Sequence, residues 1–580
     1  MESADRATVE RILESTLEKI DAESLDDDEA TLCRSLLSAL DKHVELAAKI
    51  CEVFATLGRK AEFRSVAETC TVFPSIVPLL SSDQSDVRLQ AMRAVGNLCI
   101  DHDSNREAVL VTGGCPFLIA QLTRCADTTT ADSQSVKVKC VTCGCILNLA
   151  NDNEKLQNEL NSLDALAGLS SVLSVPDQEE SVLDMALQAV SVLLEQAELS
   201  GPSPLPSALA ILLPRCSQGE VDLLENVLET LEVLVNKNDS LKRGVVAAEC
   251  VDHLLVPMDV EAEQKASNII VTLLAEDQCL ESLFKAGNVL SSALASLKGH
   301  TSTQEQRANA ALLLANMARS ENNCQVLVER GVVPRLVELL KEEESKEMMG
   351  KLHHSALSAL RNLSLPATHK EFFFSCGVVE GVLSLLTTSS LAHVWFKALG
   401  VLRLLVDGQA ATCSYIVSQP ERVKRVCEVC SAVGPAHIQL EGSRLLAAIV
   451  KNCHNSDVMR CVVSEGGVPW VCGLLDSEHT VMTNEGLIAL NLLATLNNDA
   501  LHSALCVTDV NLPLRLSKVL MTSAPEIVSN ALRLMEILTA CDHDQLKEEM
   551  RGNKELASSL SELTKHSNQD ISSIAAKLLL

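Results

Sequence analysis

The sequence predicts an all-α solenoid of stacked helical repeats, and three observations predict it. An apolar helix closing on a polar turn returns about every 42–51 residues in its clearest copies. It reads Ala94-Val-Gly-Asn-Leu-Cys-Ile-Asp-His-Asp, Cys145-Ile-Leu-Asn-Leu-Ala-Asn-Asp-Asn and Leu314-Ala-Asn-Met-Ala-Arg-Ser-Glu-Asn-Asn. It returns as Leu357-Ser-Ala-Leu-Arg-Asn-Leu-Ser-Leu-Pro, Gly400-Val-Leu-Arg-Leu-Leu-Val-Asp-Gly and, more weakly, Ile488-Ala-Leu-Asn-Leu-Leu-Ala-Thr-Leu-Asn-Asn-Asp. A unit of this size cannot bury its own apolar face, so neighbours must stack. Second, hydrophobic residues make up 47% of the chain but aromatics only 2%. The core is therefore Leu, Val, Ile, Ala and Cys, side chains that let helices approach closely. Third, Gly and Pro fall mostly at unit ends, as helix punctuation does. The 580 residues leave room for roughly 12–13 units.

Residues 1–60 read as an N-terminal helical cap and a degenerate first repeat. Ile12, Leu13, Leu17 and Ile20 form one helical stripe, and Leu32, Leu36, Leu37, Leu40 and Val44 another. The acidic run Asp21–Glu29 between them reads as an exposed loop. Residues 61–200 hold N-terminal repeats, 201–300 divergent acidic repeats and 301–580 the C-terminal repeats. The clearest unit spans 322–364. Its first helix, 322–331, is stopped by Gly331. Its second, 332–341, carries Pro334 in the first turn, where a missing N–H costs little. Its third, 351–364, places Leu352, Ala356, Leu357, Leu360 and Leu363 at helical spacing and ends before Pro366. The breaker cluster Gly201-Pro-Ser-Pro-Leu-Pro206 reads as a joint between units.

The short–medium–long triplet resembles the armadillo repeat, which implies a right-handed superhelical solenoid. Gly331-Val-Val-Pro-Arg-Leu-Val-Glu-Leu-Leu340 resembles its second helix, with related versions at 377–386 and 466–475.

Net charge is −29. That argues against nucleic acid, whose recognition needs basic patches, and against anionic membrane surfaces. It fits either plain solubility or a basic partner. No apolar run approaches the length of a membrane span, so stable membrane insertion is not expected. No apolar leader is seen, and most of the 22 cysteines sit in apolar helical runs. A reducing, cytoplasmic location is expected. Cys140-Val-Thr-Cys143-Gly-Cys145 and Cys427-Glu-Val-Cys430 have metal-like spacing, but each lies in a predicted helix without a second Cys/His pair. They read as core thiols. His353 and His354 are adjacent on one helix and so face different ways; one is expected to point to solvent. No phosphate loop, dinucleotide fingerprint or nucleophile elbow occurs. Neither cofactor nor metal is expected, and no covalent catalysis. A capped solenoid is expected to be monomeric.

Two constellations carry functional weight. Asp222, Glu225, Glu229 and Glu232 are spaced 3, 4 and 3 and share one helix face, with apolar residues opposite. This acidic stripe is either a solvated face or a docking site for Lys/Arg-rich segments. Glu249, Asp252, Asp259, Glu261 and Glu263 follow it. A run of polar residues lies on and near third helices: Asn316, Arg319, Asn322, Arg361, Asn362, Lys397, Arg403, Glu441, Arg444, Asn484 and Glu485. Either these line a binding groove or they cap helices and bridge units internally.

In order and spacing, several segments resemble the stimulatory GDP-dissociation factors of small GTPases, the SmgGDS family. They include Ala94–Asp101 with Asn105–Val109, Cys143–Asn153, Ala315–Arg319, Ala356–Pro366, Phe396–Gln409, Glu441–Leu446 and Asn484–Leu490. The resemblance runs from about Val87 to Leu538 and is strongest over Asn309–Asp407. It implies partners among Rho- and Rap-type GTPases that end in a polybasic stretch and a prenylated Cys. It implies promotion of GDP release and a chaperone role, both non-covalent. It places the GTPase in the 316–485 groove and the basic tail on the acidic stripe. The prenyl chain would enter a pocket near the 135–150 helix, one face of which carries Val136, Cys140, Cys143, Gly144 and Leu147. The alternative is a general armadillo scaffold for basic peptides or partner proteins. Residues 200–300 match the family poorly.

Overall fold

The computed structural model describes residues 6–21, 28–127, 132–199, 201–216, 221–298, 302–432, 435–453, 455–496, 498–508, 510–522, 524–540 and 544–579. Among these residues every regular element is a helix. The centre of the acidic run expected as a loop, 22–27, lies outside the described residues. The chain divides into two compact units, Met1–Asn288 and Val289–Leu580.

Each repeat ends in a third helix, labelled here in chain order. The first unit carries α1 (Ala47–Leu57), α2 (Ser85–Leu98), α3 (Ser133–Ala150), α4 (Glu180–Gln196), α5 (Val221–Lys237) and α6 (Val260–Leu274). The second carries α7 (Gln304–Met317), α8 (Lys351–Leu363), α9 (Ala392–Val406), α10 (Ala436–Asn452), α11 (Thr480–Leu496), α12 (Pro525–Thr539) and α13 (Gln569–Leu579). Inside each unit every third helix packs against the next, so they form a continuous layer. First and second helices close over its other side and bury the apolar stripes.

The repeat ending in α8 has helices Glu321–Glu329, Val332–Leu340 and Lys351–Leu363, close to the predicted bounds. Ser320 caps the first by accepting from the Asn323 N–H. The turn into the second helix needs a left-handed residue, and Gly331 supplies it at φ 75°. Elsewhere Asp164, Glu249 and Asn511 hold the same conformation without being glycine. The 201–300 stretch is more regular than its sequence suggests: helices Asp239–Ala247 and Cys250–Leu254 precede α6. Its real departure is the repeat ending in α5. There Leu205–Cys216 acts as second helix, and the described residues between Gln196 and Leu205 hold no first helix. Gly201, Pro202 and Pro204 account for that gap.

Side-chain amides fasten third helices to one another. Asn97 Nδ2 donates to the Ala55 carbonyl (2.7 Å), Asn148 to Gly96 (3.2 Å) and Asn362 to Ala315 (2.8 Å). Second helices are fastened by arginines: Arg335 donates to the Leu294 carbonyl (3.1 Å) and Arg425 to Leu386 (2.7 Å).

Cysteines fill the core as expected. Of the 21 in described residues, 16 are buried and five half-buried, with no disulfide among them. Burial pushes the thiols of Cys427, Cys430 and Cys472 up to about 12. Among the described residues no group of His, Cys, Asp and Glu could hold a metal ion. No single described helix is long and apolar enough to cross a membrane.

Candidate functional site

The helical period places residues three and four apart on one face. On α9 this face carries Lys397, Gly400 and Arg403; on α10, Glu441 and Arg444; on α11, Asn484 and Glu485. Because adjacent third helices lie side by side, these faces join into one polar row across the second unit. Arg403 Nε donates to Glu441 Oε1 at 2.7 Å. Arg444 sits 3.7 Å from the same carboxylate and donates twice to Glu485, at 2.8 and 3.0 Å. That fork matches a carboxylate's planar geometry, and the Glu485 hydrogen bond holds Arg444 still more firmly protonated. The row continues where Asn530 on α12 donates to Asn484 Oδ1 (2.8 Å), and ends where Lys577 on α13 reaches Glu536 on α12 (2.9 Å). On its other side Lys351 on α8 reaches Glu305 on α7 at 2.8 Å.

One step departs from this pairing. Between α8 and α9 the facing side chains are Arg361 and Lys397, both half-buried and both cationic. Among the described residues no carboxylate pairs with either. Burial and then the Arg361 charge pull the Lys397 ammonium below its ordinary range. His354, about two turns before Arg361, packs edge-on against His393 of α9 at 5.6 Å between centroids. Burial, Lys397 and His393 pull the His354 imidazole down to about 4, so the ring is neutral at pH 7. Gly400 provides a floor for Arg361: a Cβ there would lie 3.5 Å from Arg361 Nε and 3.3 Å from Glu441 Oε1.

The row thus gathers Arg361, Lys397, Arg403, Glu441, Arg444, Asn484 and Glu485 from the sequence-selected residues. It does not gather the rest. Asn362 faces the α7 backbone as an inter-repeat bridge. Asn316 turns into its own helix and bonds the Leu312 carbonyl at 2.9 Å. Arg319 lies in the segment after α7, and Asn322 is exposed on the following first helix, so neither belongs to a third-helix face. His354 also corrects an expectation: neither member of the His353–His354 pair stands free in solvent, since His353 is buried with Nε2 at 3.0 Å from the Glu342 carbonyl. Glu305, Lys351, Gly400 and Asn530 were not singled out from sequence. Their only sequence signal is complementary side chains one repeat apart.

The first unit carries a row of its own. Arg93 on α2 lies 4.0 Å from Glu52 on α1, and Gln134 on α3 donates to Asp86 on α2 at 3.2 Å. The Cys140 thiol on α3 meets Ser181 Oγ on α4 (3.5 Å), and Asn226 on α5 donates to Asp184 on α4 (2.9 Å). The acidic stripe belongs to this row, but it is not bare. Lys265 on α6 bonds both Glu225 (3.1 Å) and Glu229 (3.2 Å), and these bonds raise its own affinity for its proton. Asp222 is exposed and Glu232 half-buried. Of the acids that follow, Asp259 caps α6 through the Glu261 and Ala262 N–H groups, and Asp252 accepts from Asn288.

The small-residue face of α3 is narrower than expected. Val136, Cys140, Gly144 and Leu147 are half-buried on it, but Cys143 is fully buried on the inner side, near Cys125 and Lys139. Met185 of α4 lies over Gly144, its Sδ 3.7 Å from where a Cβ would stand.

No family model matches the chain. It is 32% identical over 518 residues to Rap1 GTPase-GDP dissociation stimulator 1-B of Xenopus laevis, covering 86% of this chain and 83% of that protein. It is 25% identical over 545 residues to the GTPase-GDP dissociation stimulator vimar of Drosophila melanogaster, covering 84% of each. Among solved structures, a designed armadillo repeat protein aligns over 43% of this chain and 99% of its own, at 17% identity and a TM-score of 0.37. The first of these relationships covers more of the chain than either unit holds: the chain belongs to the Rap1 GTPase-GDP dissociation stimulator family.

Proposed function

We propose that this chain stimulates guanine-nucleotide release from small GTPases of the Rho and Rap type and chaperones their prenylated forms. The carrying observation is that the match to a protein named for GDP dissociation covers 86% of this chain and 83% of that protein. The mechanism is non-covalent. The second unit's row holds a GTPase conformation that binds nucleotide weakly, which shifts population toward the empty state by differential binding. No cofactor takes part and no covalent step is required. The protein acts as a cytoplasmic monomer.

The tail contacts lie in the first unit. Asp222, Glu232 and the outer oxygens of Glu225 and Glu229 receive Lys/Arg side chains of a polybasic stretch, displacing Lys265. The prenyl chain enters between α3 and α4. Support comes from the small residues Cys140 and Gly144 and from Met185, an adaptable side chain that can swing away from Gly144. Covering the lipid yields about 0.8 kcal/mol per CH₂, enough to offset a local separation of helices.

The test is release of a fluorescent GDP analogue from a prenylated Rho-type GTPase with a polybasic tail. Wild type should accelerate release and Arg361→Ala should not. Asn362→Ala is a poor probe, because it breaks an inter-repeat bond. Binding without acceleration would leave chaperoning alone; neither binding nor acceleration would sink the proposal.

A further inference from the structure

Across the two units, every pair of neighbouring third helices within a unit but one is bridged by complementary side chains. The bridges are Glu52–Arg93, Asp86–Gln134, Cys140–Ser181, Asp184–Asn226 and Glu225/Glu229–Lys265 in the first unit. They are Glu305–Lys351, Arg403–Glu441, Arg444–Glu485, Asn484–Asn530 and Glu536–Lys577 in the second. The exception among the described residues is α8/α9. There two cations meet, half-buried, on a chain whose net charge is −29. Such a chain has abundant carboxylates, and placing one at this step would have completed the series. Instead Arg361 and Lys397 face each other, each partly exposed to solvent.

We infer that Arg361 and Lys397, floored by Gly400 and walled by His354, form a receptor for a carboxylate side chain of the bound GTPase, which completes the α8/α9 bridge in trans. The inference rests on the proposed function and names the chemistry of the contact. Three observations carry it. Among the described residues neither cation is paired with a carboxylate, while their neighbours on either side are paired. They are partly solvent-accessible, so an incoming group can reach them. Gly400 lets the Arg361 guanidinium lie against α9, with Nε 3.5 Å from where a Cβ would stand. Two like charges held together without a counter-ion oppose folding; an acid supplied by the partner removes that penalty on binding, which concentrates binding energy there. The rest of the row, Arg403 to Glu485, is satisfied internally and acts as scaffold for this pair.

The test compares the full chain as wild type, Lys397→Met and Arg361→Gln/Lys397→Met. Two ligands are used: a prenylated Rho-type GTPase, nucleotide-free or GDP-loaded, and a Glu-rich peptide. The double variant should bind the nucleotide-free GTPase at least about tenfold more weakly and lose the peptide. Its unfolding midpoint should stay level or rise, because a repulsion has been removed. Affinity unchanged in the double variant overturns the inference. So does a fall of several degrees in the midpoint of Lys397→Met, which makes the lysine structural. Loss confined to the GDP-loaded GTPase assigns the cations to nucleotide phosphates and also overturns it. A wild type that binds no GTPase but takes up the peptide, with the variant unable to, supports this site and removes the function on which it was built.

Discussion

The two polar rows use the same geometry to opposite ends. In the first unit the α4–α6 stretch carries Asp184, Asp222, Glu225, Glu229 and Glu232 against Lys265, leaving an acidic surface that is exposed and only partly engaged. In the second unit acids and bases alternate from Arg403 to Glu485, largely out of water. The one break there is basic. The difference teaches that side-chain bridges between repeats serve stability where they are buried and complete, and are available for recognition where they are exposed or incomplete.

The sharpest way to break this comparison is to remove one acid from each row. Glu441 is 8% exposed and serves two arginines. Glu441→Gln should lower stability in urea unfolding by about 3 kcal/mol, since it strands buried charge. Glu225→Gln should change it by less than about 0.5 kcal/mol. Equal losses would mean the rows are energetically alike. Next come the amide bridges. Asn362→Ala should cost about 1 kcal/mol through the lost bond to Ala315, whereas Asn322→Ala, exposed, should be neutral within about 0.5 kcal/mol.

Recognition in the first unit is sharpened by Lys265→Gln. Unmasking Glu225 and Glu229 should tighten binding of a Lys-rich peptide severalfold, an effect that high salt removes, with a stability change below about 1 kcal/mol. No gain in affinity would return the stripe to a solvated face. The smallest effect expected is in pH dependence. The His354 imidazole is pulled down to about 4 from its usual 6.5. The unfolded chain therefore binds the extra proton first, so His354 contributes stability above pH 6.5 that fades as pH falls toward 4. Replacing it by Gln should flatten the stability profile in that window. Lys397→Met should move the His354 titration upward in NMR, because one of the charges opposing protonation is gone.

Much of the fold could be read from the chain. The α8 repeat was legible because its signals agree: Gly331 in a left-handed turn, Pro334 in a first turn, Pro366 beyond the last. Repeats whose turns use Asp164 or Glu249 hide that signal, since either residue reads as an ordinary surface acid. The missing first helix before α5 showed only as a breaker cluster. Within the site, Arg361, Lys397, Arg403, Glu441 and Arg444 were placed by helical period. What period cannot give is partnership. Lys265 neutralises two glutamates from about 40 residues away, and Asn362 and Asn316 occupy equivalent helix-end positions yet bond to different helices.

The buried thiols have a practical consequence. Most repeats carry at least one cysteine whose sulfur is shielded, so it reacts with alkylating reagents only when that repeat opens. The chain therefore comes with a chemical clock built into successive segments. Timed alkylation followed by peptide mass spectrometry would rank the opening of each segment in the unaltered protein, alone and with a GTPase bound, with half-buried Cys140 and Cys461 as the fast references.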